Sequence, residues 1–131
     1  MPSIYELQLP VTPKPTPRAR LSKHGHAYSP ADYRVYLNEL RDAVAERWGH
    51  GLLDQPIAVT VLVVMPRPKS TKLAMPKPDW DNYGKGVCDA MHGVVYADDT
   101  IIRRGSCEKA WGLPGEPGRI HVIIEDYPFA A

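Results

Sequence analysis

The sequence predicts an α+β domain: a mixed four-stranded sheet with two helices, in the order β-α-β-α-β-β. Three observations predict it. Two stretches, 31–48 and 79–92, space their apolar residues along one face of a helix. Residues 57–65 form a nearly continuous, β-branched apolar run between Pro56 and Pro66, the pattern of a central strand covered on both faces. Residues 4–9, 101–111 and 119–127 complete the set as further strands.

Each element has a local reason. Ile4, Tyr5, Glu6, Leu7, Gln8 and Leu9 give the alternation of a half-buried strand, ended by Pro10. Residues 10–30 carry too much proline and charge for a helix or a central strand and read as a long loop. Ser29, Pro30, Ala31 and Asp32 then supply a capping hydroxyl, a first-turn proline and an acid, the start of a helix. Its buried stripe is Tyr33, Leu37, Leu40, Val44 and Trp48, and Gly49-His50-Gly51 stops it. The second helix buries Tyr83, Val87 and Met91 and ends at Gly93. Gly84 and Gly86 each cost that helix roughly 1 kcal/mol relative to alanine, so a close neighbour is expected at them. The last two strands, joined by the glycine- and proline-rich residues 112–118, are expected to form a hairpin.

A length of 131 residues fits one domain over 1–131, with 44% apolar and 24% charged residues as in ordinary globular chains. No apolar run approaches the roughly 18 residues of a membrane span, and no basic-then-apolar leader opens the chain, so a cytoplasmic protein without membrane partners is expected. Cys88 and Cys107 form no C-x-x-C pair and read as buried thiols. Glycine-rich phosphate loops, nucleophile–histidine arrangements and dinucleotide fingerprints are absent, which speaks against a small-molecule substrate.

Charge is unevenly placed although the net is only +1. Residues 13–30 hold Lys14, Arg18, Arg20 and Lys23 with no acid, and residues 66–78 hold Arg67, Lys69, Lys72 and Lys77 with none. Either loop alone is equally well a solubilising surface. Together, beside a carboxylate cluster, they suggest phosphate binding. The cluster is Asp79 and Asp81 at the start of the second helix and Asp98 and Asp99 before the next strand. Carboxylates gathered without matching cations repel one another, and a hard divalent cation with oxygen ligands relieves that repulsion. Mg²⁺, or Mn²⁺ in its place, is therefore expected on Asp79, Asp81 and Asp99, with Asp98 as a fourth ligand or a support behind the ligands. Lys85, one helical turn past Asp81, can reach a scissile phosphate at the rim of that site. It can equally form an i, i+4 ion pair with Asp81 or Asp89. Glu108 and Lys109, adjacent on a strand, point to opposite faces and are set aside. His24 and His26 lack a third ligand.

Lys77-Pro78-Asp79-Trp80-Asp81-Asn82-Tyr83-Gly84-Lys85, then Asp89-Ala90-Met91-His92-Gly93 and Asp98-Asp99, resembles the K-P-D-x-D-N-x-x-K core, D-A-L-N-G and closing D-D of the RusA family of Holliday junction resolvases. Pro13-Lys14-Pro15 through Arg20, and His26 through Pro30, resemble the segment before the first helix in phage-type members. Met91-His92 stands where Leu-Asn is commoner. The resemblance implies a bacterial or phage-encoded homodimeric, Mg²⁺-dependent endodeoxyribonuclease that nicks four-way DNA junctions symmetrically in recombination and repair. It makes Asp79, Asp81 and Asp99 catalytic metal ligands and Lys85 the essential lysine, and leaves the role of Asp98 open. Flap or nicked DNA as substrate, or DNA binding without catalysis, are the competing readings.

Overall fold

Nine residues of unbroken β-branched and apolar character, Ile57–Met65, run through the middle of the sheet. The computed structural model describes residues 3–16, 20–21, 27–28, 31–76 and 80–129, and at 20–21, 27–28 and 80–82 the backbone alone. In chain order the elements are β1 (Ile4–Leu9), β2 (Arg20–Leu21), β3 (Ala27–Tyr28), α1 (Ala31–Arg47), β4 (Ile57–Met65), α2 (Trp80–Met91), a 3-10 turn (Asp99–Ile101), β5 (Ile102–Trp111) and β6 (Arg119–Asp126). The main sheet has four strands in the order β1-β6-β4-β5. It is mixed, because β5 runs parallel to β4 while β6 runs antiparallel to both β4 and β1. The expected α+β class and element order are those observed.

The expected hairpin is not. β5 and β6 flank β4 on opposite sides, and residues 112–118 cross the end of β4, where the Gly112 N–H donates to the Met65 carbonyl at 2.8 Å. The physical reason lies in β4, whose two edges both need ladder partners once it is buried. A hairpin would have placed both late strands on one side of it. Neighbouring strands lie about 4.8 Å apart, so a loop of this length spans the two spacings needed to step over β4. A second difference is local: within the expected long loop, β2 and β3 pair as a short antiparallel ladder, Arg20 opposite Tyr28 and Leu21 opposite Ala27.

Both helices lie on one face of the sheet. Ile57, Val59, Val61 and Val63 of β4, Ile120, Val122 and Ile124 of β6, and Leu7 and Leu9 of β1 join one core with the helices. Register explains the set: Val61 stands opposite Val122, and Val122 opposite Leu7, so the three strands present one face in step. From α1 come Tyr33, Tyr36, Leu40, Ala43 and Val44, followed by Trp48. Leu37, expected in the stripe, is only partly buried, and Tyr36 takes the position nearer the core. From α2 come Tyr83, Val87, Ala90 and Met91, all fully buried. At about 1.5–3 kcal/mol for each large apolar side chain removed from water, the α2 stripe outweighs the cost of its two glycines. The opposite face of β4, with Thr60 and Leu62 half-buried, has no helix over it among the described residues. The expectation that β4 is covered on both faces is corrected there: Ala58 and Val64 are buried on that side without one.

Candidate active site

The candidate site forms where α2, the turn after it and the start of β5 meet. The two glycines of α2 acquire neighbours that explain them. A Cβ on Gly84 would stand 3.3 Å from Cys107 Cβ on β5, and one on Gly86 would stand 2.7 Å from Tyr33 Oη on α1. That hydroxyl shares a hydrogen bond with Thr16 Oγ1 at 3.0 Å. Both glycines thus let α2 approach its neighbours closely, and they hold the helix that carries Asp81 and Lys85.

The return from α2 is built around a tyrosine. Gly93 takes φ +88°, open to glycine at no steric cost, and its N–H donates to the Tyr96 carbonyl at 2.7 Å. Tyr96 is fully buried, and its hydroxyl donates to the Cys88 carbonyl at 2.6 Å. Burial, with lesser contributions from Cys88 and Asp99, raises the Tyr96 pKa, so the phenol stays a donor. The Leu53 N–H donates to the Val95 carbonyl at 2.7 Å, tying the turn to the segment before β4. His92 Nε2 donates to the Ala97 carbonyl at 2.6 Å. Residues 92–97 are thereby locked, and they deliver Asp98 and Asp99 to the mouth of β5.

The two acids differ. Asp98 caps the 3-10 turn, its Oδ1 accepting the Thr100 N–H at 3.0 Å, and that bond holds its pKa below the ordinary aspartate value. One of its oxygens is therefore engaged. Asp99 opens the turn and is exposed. Its charge is felt across the gap on α2, where it contributes to raised pKa values at Lys85 and Cys88, the larger causes being the Asp89 hydrogen bond at Lys85 and burial at Cys88.

Lys85 Nζ donates to Asp89 Oδ2 at 3.1 Å, the i, i+4 alternative named above. The bond raises the Lys85 pKa, so the ammonium stays charged across the neutral range. Asp89 is the residue to which sequence reasoning gave no site role; its spacing from Lys85 was the available signal. Asp81 is the second residue of α2, one turn before Lys85, and its side chain is outside the described atoms. Asp79 lies outside the described residues. Among the described residues no three aspartate, glutamate, histidine or cysteine side chains converge as a metal cage, and the expected one depends on Asp79 and Asp81. The donor set these positions offer, all carboxylate oxygen, suits a hard cation.

Of the residues expected to bind DNA, Lys14, Arg67, Lys69 and Lys72 are exposed. Arg20 lies on β2, described by its backbone alone, and Arg18, Lys23 and Lys77 fall outside the described residues, as do His24 and His26. The second basic loop is anchored: Trp111 Nε1 donates to the Leu73 carbonyl at 3.0 Å. Cys88 and Cys107 are half-buried rather than buried. No helix among the described residues is long and apolar enough to cross a membrane.

A crossover helix bearing a cation, an acid at the mouth of the parallel strand that follows, and the exposed Lys14, Arg67, Lys69 and Lys72 define an α+β protein of the class that can meet a polyanion. Residues 10–125 match the family described as Endodeoxyribonuclease RusA, and the chain belongs to that family. It is also similar to the uncharacterized protein YqaN of Bacillus subtilis (strain 168), 27% identical over 115 residues that cover 77% of this chain and 79% of that one.

Proposed function

We propose that this chain is a Mg²⁺-dependent endodeoxyribonuclease that resolves four-way DNA junctions by paired symmetric nicks, acting as a homodimer in recombination and repair. The observation that carries the reading is membership of the RusA endodeoxyribonuclease family together with Asp79, Asp81, Lys85 and Asp99 at the family's motif positions. Asp79, Asp81 and Asp99 would hold the cation, with Mn²⁺ as a substitute. The bound cation supplies Lewis-acid polarisation of the scissile phosphate.

The chain's own residues supply the rest. Lys85, kept protonated by Asp89, serves as a fixed positive charge for the phosphate as negative charge grows on it, and not as a general base. Asp98 sets the turn that presents Asp99, and this positioning role accounts for its place in the acidic pair. Lys14, Arg67, Lys69 and Lys72, with Arg18, Arg20, Lys23 and Lys77, bind backbone phosphates without reading sequence.

The test is incubation of the purified protein with a mobile four-way junction, a flap and a nicked duplex, with and without Mg²⁺, mapping cuts on every strand. Symmetric cuts in opposite junction strands that require Mg²⁺ are expected. Equal cutting of flap or nicked duplex would move the specificity elsewhere, and no cutting of any substrate would overturn the reading.

A further inference from the structure

The ladder between β4 and β5 is irregular at its start: Ile57 pairs with Ile102 but Ala58 pairs with Arg104, leaving Arg103 as the extra residue of a bulge. A bulge re-aims a side chain, and this one follows directly on the turn that carries Asp99. Arg103 Nη1 donates to the carbonyls of Tyr127 and Pro128, each at 2.8 Å. Its Cζ lies 4.6 Å from the Tyr127 ring centroid and 4.0 Å from that of Phe129. Arg104 covers Tyr127 as well, at 4.8 Å.

Two features separate this cluster from ordinary packing. Phe129 is 70% exposed although a guanidinium covers one side of its ring, so its other side is open to solvent. The hydrogen bonds of Arg103 go to neutral carbonyls, which leave its positive charge in place, and among the described residues it forms no ion pair. An exposed aromatic plane covered on one side by an arginine matches a nucleotide: a base for the plane and a phosphate for the cation. Paired bases inside a duplex arm have both faces covered by their neighbours, whereas bases at a branch point can be unstacked. Arg103 is four chain steps from Asp99, at most about 14 Å between their Cα atoms, and its guanidinium carries the ring, so the ring and the acid belong to neighbouring parts of the molecule.

We infer that Phe129, held by Arg103, is a stacking platform for an unstacked base at the branch point of the DNA substrate. The inference rests on the nuclease reading above and names the part of the substrate that this ring meets. Phe129 is exposed, so removing its ring leaves the core intact.

The test uses a four-way junction with 2-aminopurine at the branch point, and a second with the probe in mid-arm, bound in EDTA so that no strand is cut. On wild-type binding the branch-point signal should change several-fold and the arm signal should not. Phe129→Ala should remove more than half of that change and weaken junction binding by about five- to 150-fold, the span of one aromatic–base stack. Phe129→Trp should bind like wild type and Phe129→Leu should not. An unchanged branch-point signal in Phe129→Ala, full recovery in Phe129→Leu, or an equal response from the arm probe would overturn the inference. Wild-type nicking of the unlabelled junction in Mg²⁺ is measured alongside. If the wild type nicks junctions while Phe129→Ala behaves as wild type in EDTA, only the stacking platform falls. If the wild type neither binds nor nicks, both readings fall.

Discussion

Asp98 and Asp99 are chain neighbours with different surroundings, and mutation should separate them. On the proposed function, Asp79→Asn, Asp81→Asn and Asp99→Asn should each abolish cleavage while junction binding stays intact or tightens, since each would remove a cation ligand and some repulsion toward phosphate. Asp98→Asn retains an acceptor for the Thr100 N–H and should keep most of the cutting. Parallel binding and cleavage assays check both, and a loss of binding in step with cutting would contradict the metal assignment. Another aspartate bears on stability. Asp126 accepts from Gln55 Nε2 at 2.7 Å and from the Ser3 N–H at 2.9 Å, joining the start of β1 to the segment before β4. Those bonds, Gln55 first, hold its pKa below the ordinary value. Because the folded pKa is the lower one, the contribution is full above the unfolded value near 4 and is lost as pH falls through the folded one. Asp126→Ala should cost about 1–2 kcal/mol at neutral pH. Urea unfolding should show the gap from wild type closing below about pH 4.

At the scale of elements, the packing of α2 sets the site. Gly86→Ala would gain up to about 1 kcal/mol of helix propensity but push a Cβ into Tyr33 Oη, and the overpacking should win, for a net loss of about 1–2 kcal/mol in denaturant unfolding. Gly84→Ala, facing Cys107 Cβ at 3.3 Å, should lose less. A glycine's cost to a helix is visible in a sequence, but the neighbour that justifies it is not, because Tyr33 and Cys107 come from an earlier helix and a later strand. The second basic loop is an element of another kind, tethered by Trp111 to the end of β5. Neutralising Arg67, Lys69 and Lys72 together should weaken junction binding and reduce the slope of log K against log salt by about one unit for each phosphate that no longer meets a cation. An unchanged slope would make the loop mere solubilising surface.

At the scale of the molecule, two symmetric cuts need two sites at fixed separation, and one chain carries a single acidic cluster. The working unit should be a two-fold dimer with an isologous interface. Light scattering at micromolar concentration should give twice the single-chain mass, and a monomer that makes both nicks in one binding event would sink the idea. The late strands offer no hairpin arm for such an interface, since β4 lies between them.

What the sequence determined by itself was whatever is written in local pattern. Alternation placed β1, an unbroken β-branched run placed β4, period-3.6 spacing placed both helices, Gly93 marked the end of α2, and the motif positions of Asp79, Asp81, Lys85 and Asp99 named the family. Partners across space were decided only by the tertiary structure. Strand order followed from the need of β4 for a partner on each edge, which no turn signal in residues 112–118 could express. The ion partner of Lys85 was left open between Asp81 and Asp89, both at the same helical spacing, and among the described side chains the fold joins it to Asp89. The role of Tyr96 was equally hidden, because a tyrosine in a turn acquires meaning only when burial brings its hydroxyl to a partner on another element, here the Cys88 carbonyl of α2.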